Sequence, residues 1–475
     1  MNAHFSLSRR GFLQASALAG GGFMLGFIPR AAVAQSAAPA GIRPPFSTFV
    51  KIFPDNSITL VVPSAELGQG VFTTLPLILA EAMDADWERI SVEHAPFDPN
   101  LGGSVGGSQN TGGSYSVRSW LPRFLALGAA AKAMLIAAAS RHWGVAASEC
   151  EAHQGRIIHG PSGRTVSFGE VAAEAAKLPV PQAVEVKQPR DFKFLTRDIK
   201  RLDTPAKTDG SAVFGVDVEI PGMVYAAVKM PPVFGGTVKS VNPASVAGRL
   251  GVLLAAEVPG GVAVAAEHWW QAKQALDDLA VEFDSGPNAN LDDAKIDDLL
   301  AKGLDRGSLA VAAERGDANG ALVRAAKTLT AVYDAPYLAH ACMEPMNATV
   351  HVTPDGAVAH IPTQSMNAEA DYIAGVTGLP LERIKVFNTF CGGGFGRRGS
   401  DPHATRQAAH LSQRLGRPVK VIWDREQDIQ WDQYRPIAKA RMEGGLDDKG
   451  TLVAYRATIA SQSIEQSLYD DPLAK

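Results

Sequence analysis

Hydrophobic and polar positions follow the same order in two distant parts of the chain. Residues 49–62 (FVKIFPDNSITLVV) and 349–361 (TVHVTPDGAVAHI) each predict a strand, a tight turn and a second strand. In both parts an amphipathic segment then predicts a helix, and a third strand leads into a glycine-rich loop. The third strands, WERISVEHA and LERIKVFNT, share the residues Glu-Arg-Ile. This shared order predicts two related lobes.

The region between the two lobes has a different pattern. It predicts several strands and one helix, from His268 to Leu279, and we expect a small separate α+β domain. The polar segment after it predicts a linker with a short helix near 293–302. The expected fold class is α+β (mixed α/β), with the first lobe at 45–190, the separate domain at 200–285, the linker at 286–325 and the second lobe at 326–475.

Size and charge exclude some classes of protein. A chain of 475 residues exceeds what one hydrophobic core usually serves, so several domains are expected. The net charge of −4 and the lack of a basic stripe argue against a nucleic-acid partner. Cys150, Cys342 and Cys391 are too widely spaced to form a metal-ligand pattern. We therefore expect no iron–sulfur cluster on this chain, and each cysteine is expected to be a small buried residue.

The N-terminal residues 1–34 have the pattern of an export signal. Arg9 and Arg10 precede an apolar stretch, residues 15–28, that is too short to span a membrane, and small residues come directly before Gln35. Twin arginines are typical of the Tat route, which exports folded proteins. We therefore expect a mature chain that begins near Gln35 and lies in the periplasm, either free or attached to the inner membrane through a partner.

The glycine-rich loop of the second lobe contains residues 394–399, GFGRRG, which match the G-x-G-x-x-G pattern of dinucleotide-binding turns. However, residues 400–402 supply a helix N-cap and a first-turn proline, so the helix is expected to begin after the third glycine. A simple chain-reversing turn is another alternative. Each lobe also has a glutamine beside its loop, Gln69 and Gln364, so two facing lobes would enclose a long polyanionic ligand.

Three long motifs carry a family resemblance. Residues 362–398, PTQSMNAEADYIAGVTGLPLERIKVFNTFCGGGFGRR, resemble the molybdenum-binding region of the xanthine dehydrogenase and aldehyde oxidase family. Residues 201–236 resemble the small hammerhead-like domain of that family. The early position of residues 66–81, ELGQGVFTTLPLILAE, is similar to the isoquinoline 1-oxidoreductase beta subunits and related Tat-exported aldehyde dehydrogenases. The resemblance implies two related molybdopterin-binding lobes that flank a hammerhead-like α+β domain.

The resemblance also implies a cofactor, molybdopterin cytosine dinucleotide, and the residues that contact it. Gln364 would hydrogen-bond an oxygen ligand of molybdenum, and no residue of this chain would bind the metal directly. Arg397 is expected either to pair with phosphate or to be exposed. His340 and Glu344 resemble a motif beside the site, but a capped or core-packed pair explains them equally well, and we leave them out. The implied cofactor-binding residues are Gly68, Gln69, Gly70, Gly112, Gly113, Ser114, Gln364, Gly393, Gly394, Phe395, Gly396 and Arg397.

Two departures from the family pattern limit what the resemblance implies. Gly399 stands where xanthine oxidases have a substrate-facing glutamate, so a purine-like substrate loses support. The family's general base is a glutamate in a Gly-x-Gly-Glu motif, and this motif does not occur in the sequence. The catalytic residue is therefore unknown. We expect a chain that ends at Lys475 to be incomplete and inactive by itself.

The function implied by the resemblance is that of a molybdenum hydroxylase large subunit or a fragment of one. It would oxidise an aldehyde or an N-heterocyclic aromatic compound with water as the oxygen source. Electrons would leave through a separate small [2Fe-2S] subunit, and a c-type cytochrome is a further partner to consider. Two alternatives remain open: a non-catalytic cofactor-binding chain, and a flavin or nicotinamide oxidoreductase that uses GFGRRG as a Rossmann turn.

Overall fold

The computed structural model describes residues 4–6, 12–17, 21–28, 47–98, 101, 108–306, 310–399 and 403–464. Within these residues the chain forms ten α-helices, and its strands form six sheets. The strands are β1 His4–Ser6, β2 Phe12–Ala17, β3 Phe23–Ile28, β4 Ser47–Ile52, β5 Ile58–Val62, β6 Ile90–His94, β7 Cys150–His153, β8 Arg156–His159, β9 Thr165–Ser167, β10 Ala183–Glu185, β11 Val224–Lys229, β12 Thr237–Asn242, β13 Val252–Val258, β14 Gly261–Ala266, β15 Ala280–Asp284, β16 Lys327–Ala335, β17 Asn347–Thr353, β18 Gly356–Ile361, β19 Ile384–Asn388, β20 Val419–Ile422, β21 Ala438–Leu446 and β22 Leu452–Ser461. The helices are α1 Val71–Met83, α2 Tyr115–Trp143, α3 Phe168–Ala175, α4 Thr204–Asp209, α5 Trp269–Asp277, α6 Asp293–Leu304, α7 Ala318–Arg324, α8 Met366–Thr377, α9 His403–Leu415 and α10 Arg425–Gln430.

The first lobe is built on a five-stranded sheet in the order β2-β3-β4-β5-β6. β4 and β5 form the predicted antiparallel hairpin, and β6 pairs in parallel with β5 after the crossover through α1. α2 packs against α1, and its Trp120 and Phe124 contact Phe49 of the sheet. By length and composition α2 could cross a membrane, yet more than half of its apolar window is buried in this core. It therefore serves the first lobe as a core helix.

The second lobe repeats this plan in a seven-stranded sheet, in the order β13-β14-β11-β20-β17-β18-β19. β17 and β18 form an antiparallel hairpin, and β19 pairs in parallel with β18 after the crossover through α8. The unit β17-β18-α8-β19 thus has the same order and pairing as β4-β5-α1-β6. The prediction of two related lobes is confirmed.

The region 200–285 does not have a main sheet of its own, so the expected separate domain needs correction. β11 pairs in parallel with β20, and β14 and β13 extend the second lobe's sheet beyond it. Most side chains of β11 are buried on both of its faces, so this strand requires a covered position inside a sheet. Among the described strands, only β12 and β15 of this region form a ladder outside that sheet.

The predicted linker contains two helices that cover part of a third sheet. α6 contains the predicted short helix, and α7 follows it. Both pack on the ladder β16-β21-β22, where Asp297 of α6 pairs with Lys439 of β21 at 2.8 Å. The segment thus packs against the end of the second lobe.

The apolar stretch that predicts an export signal forms β2 and β3 in the structure. β3 pairs with β4, so that Phe23 lies opposite Ile52 and Leu25 opposite Val50. The side chains of Phe23 and Leu25 are fully buried in the first lobe's core. The twin arginines and the residues before Gln35 lie outside the described residues. Export and cleavage therefore stay predictions.

Candidate functional site

A pocket of about 530 Å³ is lined by residues of both lobes. Seven of the twelve predicted cofactor-binding residues lie in its wall, which brings together the glycine loops that precede α2 and α9. The pocket is lined by Leu67, Gln69, Val71, Thr74, Thr111, Gly112, Gly113, Ser114, Ser116 and Val117 of the first lobe and by Gln364, Phe395 and Gly396 of the second. The prediction that the two glycine loops face one groove is confirmed.

Gln364 joins the two loops. Its Nε2 donates a hydrogen bond to the Thr111 carbonyl at 2.9 Å, and its Oε1 accepts one from the Gly396 N–H at 3.1 Å. The Gln364 carbonyl also accepts a hydrogen bond from the Thr111 N–H at 2.7 Å. The residue is 7% exposed. A side chain that donates at one atom and accepts at the other is required here, which explains why a glutamine occupies this position.

The glycines of the second loop allow this close approach. A Cβ atom on Gly394 would lie only 2.6 Å from Oε1 of Gln364, and Gly396 has a φ of +108°. Between them Phe395 also has a positive φ, of 57°, and its ring is 71% exposed. The Arg397 N–H closes a turn on the Gly394 carbonyl at 2.8 Å. These glycines therefore build a turn, and the described part of α9 begins only at His403.

Glu66, which the sequence analysis missed, organises the glycine loop of the first lobe. Its carboxylate is fully buried and accepts hydrogen bonds from the N–H groups of Gly68 at 2.8 Å, Gly70 at 3.2 Å and Phe72 at 2.9 Å. It thus occupies the anion-binding position at the start of α1. A carboxylate two residues before a G-x-G pair is the local signal that would have identified it.

This arrangement bears on the implied cofactor contacts of Gly68 and Gly70. The N–H groups of Gly68 and Gly70 are used by Glu66, and neither glycine lines the pocket. Gln69 does line the pocket, but its amide group bonds to its own loop, at the Ala65 carbonyl and the Leu67 N–H. The first loop therefore presents Leu67 and Gln69 to the pocket and keeps its backbone donors for Glu66.

Charged residues from the start of the region 200–285 hold this loop in place. Arg201 donates to Glu66 at 3.0 Å and to the Gly68 carbonyl at 2.8 Å. It also pairs with the buried Asp203, which accepts a further hydrogen bond from Lys207 at 2.6 Å. Burial raises the pKa of Asp203, but hydrogen bonds from Arg201 and Lys207 outweigh it and lower the pKa to about 2. Asp203 is therefore ionised at neutral pH.

The start of α2 forms another part of the pocket wall. Gly113 and Ser114 have positive φ values of 56° and 57° and set the direction in which the helix begins. The side chain of Ser114 does not cap the helix, and the first-turn residues Ser116 and Val117 line the pocket. The N-terminus of a 29-residue helix carries a partial positive charge. The start of α2 can therefore hold an anionic group, such as a phosphate, in the pocket.

The two arginines after the glycine turn are buried, so Arg397 is not exposed, which was one of the two outcomes expected for it. Arg397 and Arg398 are 1% and 2% exposed. Arg398 donates to the Glu344 carbonyl at 2.6 Å and to the Gly393 carbonyl at 2.8 Å, and it pairs with the Glu344 carboxylate at 3.3 Å. A buried guanidinium needs such partners to offset the loss of hydration.

Arg397 pairs with carboxylates and does not line the pocket. Its Nε lies 3.1 Å from Oδ1 of Asp432, and its Nη2 donates to the Trp431 carbonyl at 3.2 Å. The predicted phosphate contact of Arg397 is therefore not supported by its position. The sequence gives no local signal for this pairing, because Asp432 follows α10 and is far along the chain.

The cysteines of this region are free and buried. Cys342 and Cys391 lie beside the second glycine loop, and the Cys342 thiol donates to the Gly394 carbonyl at 3.4 Å. Burial raises the pKa of Cys391 to about 12 and also raises that of Cys342. Both therefore remain thiols, as expected of small buried residues.

Comparison with known proteins decides what kind of pocket this is. Two models of a molybdopterin cofactor-binding domain match residues 20–249 and 304–465. The chain is also 29% identical, over 96% of its length, to the isoquinoline 1-oxidoreductase subunit beta of Brevundimonas diminuta, of which 64% is covered. The chain belongs to the xanthine dehydrogenase and aldehyde oxidase family. Its pocket lies between two molybdopterin-binding lobes of that family.

One further curated relative and one solved structure are similar to the chain. The chain is 30% identical, over 95% of its length, to the membrane-bound aldehyde dehydrogenase [pyrroloquinoline-quinone] of Gluconacetobacter polyoxogenes, of which 60% is covered. The solved structure of quinoline 2-oxidoreductase from Pseudomonas putida 86 is similar over 55% of this chain and 38% of that one, at 19% identity and a TM-score of 0.44. The chain spans about three fifths of the length of the two curated relatives.

The residues present fit a molybdopterin. The bare backbone of Gly394 makes room for Gln364, which lines the pocket beside Phe395 and Gly396, and the α2 N-terminus suits a phosphate. A Rossmann turn for a flavin or nicotinamide is not supported, because the glycines close a turn that is locked by Gln364. The contacts of individual residues with the cofactor stay predictions. The predicted residues in the pocket wall are Gln69, Gly112, Gly113, Ser114, Gln364, Phe395 and Gly396, and Gly393 and Gly394 precede Phe395 in the same loop.

Proposed function

We propose that this chain is the large subunit, or part of the large subunit, of a molybdenum hydroxylase that oxidises an aldehyde or an aromatic N-heterocycle. The observation that carries this proposal is the pocket at Gln364, which both molybdopterin-binding lobes line. The names of the two curated relatives, which refer to isoquinoline and to aldehydes, support the substrate class. Water is proposed as the oxygen source.

Different parts of the pocket wall would bind different parts of the cofactor. We assign the metal end of molybdopterin cytosine dinucleotide to Gln364, Phe395 and Gly396, and its phosphates to the start of α2. When bound, the cofactor supplies a redox-active metal that takes two electrons from the substrate. Gln364 fixes the distance between the two loops, and the exposed ring of Phe395 offers an apolar surface to a flat substrate.

Electrons must then leave through another protein. In the described part of the chain all three cysteines are free and buried, and no group of three or more histidines, cysteines or acidic residues could hold a metal ion. We propose a small [2Fe-2S] subunit as the partner, with a c-type cytochrome as a later electron carrier. The name of the relative from Brevundimonas diminuta, a subunit beta, supports this assembly.

The test is to express the complete gene product together with its iron–sulfur partner. Purified protein should contain molybdenum and release a cytosine nucleotide, and it should oxidise isoquinoline or an aldehyde with an artificial electron acceptor. Gln364→Ala should lose most of its molybdenum, whereas Gln413→Ala, on the exposed side of α9, should keep it. Purification with a flavin and without molybdenum would reject the proposal.

We also propose export by the Tat route, on the basis of Arg9 and Arg10 and the apolar stretch that follows them. Replacement of both arginines by lysine should leave the protein in the cytoplasm. Equal amounts of the variant and the wild type in the periplasmic fraction would contradict the proposal.

A further inference from the structure

His340 lies beside Gly396, the glycine of the second turn that lines the pocket. A Cβ atom on Gly396 would lie 3.6 Å from Nε2 of His340, so the imidazole edge faces the bare Cα of that glycine. The N–H group of the same glycine donates a hydrogen bond to Oε1 of Gln364. Because Gly396 has no side chain, nothing at that position covers Nε2. The imidazole is partly exposed, and Nε2 makes no hydrogen bond within the described part of the chain.

A buried carboxylate fixes the orientation of this imidazole. Asp432 is 2% exposed, and its Oδ1 lies 2.7 Å from Nδ1 of His340. Its Oδ2 accepts the backbone N–H of His340, and Arg397 lies 3.1 Å from Oδ1. Burial raises the pKa of Asp432, but the hydrogen bond to His340 and the charge of Arg397 outweigh it and lower the pKa. An ionised Asp432 accepts a hydrogen bond from Nδ1–H, which leaves the lone pair of Nε2 directed at the turn.

Charged groups surround the pair of His340 and Asp432. Arg397 lies beside Asp432, Asp428 lies 3.8 Å from Arg397, and Arg425 pairs with Asp428 at 2.9 Å. The nearby thiol of Cys342 is neutral, because burial raises its pKa. The groups that face the pair are Asp432, Arg397, Asp428, Arg425, Cys342 and Tyr434.

We propose that His340 is a proton-transfer residue of this site and that Asp432 is its positioning residue. The inference rests on the proposed function, in which addition of water to a substrate carbon releases protons. The step changes no oxidation state: an O–H bond of water or product breaks, an Nε2–H bond forms, and the imidazolium then gives the proton to bulk water. Asp432 holds the tautomer in which Nε2 is the acceptor.

The experiment uses the complete protein with its iron–sulfur partner and compares the wild type with His340→Gln, His340→Ala and Asp432→Asn. Molybdenum per chain is measured first, and it should be unchanged. For His340→Gln we expect kcat to fall by about 10²-fold, the usual size of a general acid–base effect, with KM within about twofold and one limb of the pH profile lost. Free imidazole should restore turnover to His340→Ala. The matched control is His153→Ala, an exposed histidine at the end of β7, which should behave as the wild type with and without imidazole.

A second measurement does not need turnover. Histidine ¹⁵N spectra of the cofactor-free chain should show His340 as the Nδ1–H tautomer in the wild type and as a mixture in Asp432→Asn. An unchanged kcat and pH profile in His340→Gln overturns the inference, and so does a loss of molybdenum that accounts for the loss of turnover. If His340→Gln does not fold, two measurements on Asp432→Asn test the inference instead: the tautomer of His340 and the pH profile of turnover. A wild type without molybdenum rejects the proposed function itself, and the inference falls with it.

Discussion

At the scale of single residues, the glycine turn shows how closely Gln364 packs against the backbone of Gly394. A Cβ atom on Gly394 would meet Oε1 of Gln364 at 2.6 Å. We expect Gly394→Ala to displace the glutamine and to lower the molybdenum content of the complete protein severalfold. Gly375→Ala in α8 is the matched control, because an added Cβ there meets no atom within 4 Å and replaces a helix glycine. Equal molybdenum contents in the two variants would show that the loop tolerates the displacement.

Glu66 offers a second test at this scale. Its buried carboxylate accepts three backbone N–H groups and pairs with Arg201. Glu66→Gln keeps the shape but removes the charge and turns one acceptor into a donor, so we expect the free energy of unfolding to fall by about 1–3 kcal/mol. Urea denaturation measures this change. The exposed Glu88→Gln should change it by less than about 0.5 kcal/mol, and a similar shift in both variants would contradict the role given to Glu66.

At the scale of elements, Asp203 connects the start of α4 to the first glycine loop through Arg201. The pKa of Asp203 is lowered to about 2, so its ionised form stabilises the folded state at every pH above its unfolded value of 3.8. We expect Asp203→Asn to lose about 2 kcal/mol of stability at pH 7. The difference from the wild type should shrink as the pH falls from 4 towards 2, because the wild-type carboxyl then becomes protonated. Urea midpoints of the wild type and Asp203→Asn at pH 7 and pH 3 test this. A larger difference between the two proteins at pH 3 than at pH 7 would contradict the stabilising role of the ionised Asp203.

The same scale shows what the sequence could predict. The order strand, turn, strand, helix, strand and glycine loop follows from local periodicity, and it was predicted for both lobes. The pairing of β11 with β20 was not, because it joins Val224 to Val419 and depends on packing between distant segments. The partner of Arg397 was missed for a similar reason, because two helices separate Asp432 from it in the chain. Glu66 differs, because its backbone partners are local and the sequence pattern beside it could have identified it.

At the scale of the whole molecule, a few backbone contacts hold the two lobes together around the pocket. The Cys391 N–H donates to the Glu66 carbonyl at 3.0 Å, and the Phe97 N–H donates to the Val386 carbonyl at 2.8 Å. Together with the Thr111–Gln364 pair, these bonds link each glycine loop to the opposite lobe. The pocket thus depends on both lobes keeping their own cores intact, and the first lobe's core includes Phe23 and Leu25.

Residues 12–28 belong to the predicted export signal, yet in the structure they contain the strands β2 and β3. Deletion of residues 1–34 distinguishes a removable signal from a folded part of the first lobe. If β3 belongs to the folded lobe, the deletion removes the partner of β4 and two fully buried side chains. Each such side chain contributes about 1.5–3 kcal/mol, so the deletion should cost at least about 3 kcal/mol and lower the melting temperature clearly. Leu25→Asp in the undeleted chain should destabilise it as well, because it buries an unpaired charge. The undeleted chains, the reference and Leu25→Asp, carry lysine in place of Arg9 and Arg10, which keeps them in the cytoplasm with the segment attached. An unchanged melting temperature in both would show that the lobe folds without these strands, as a removable export signal requires.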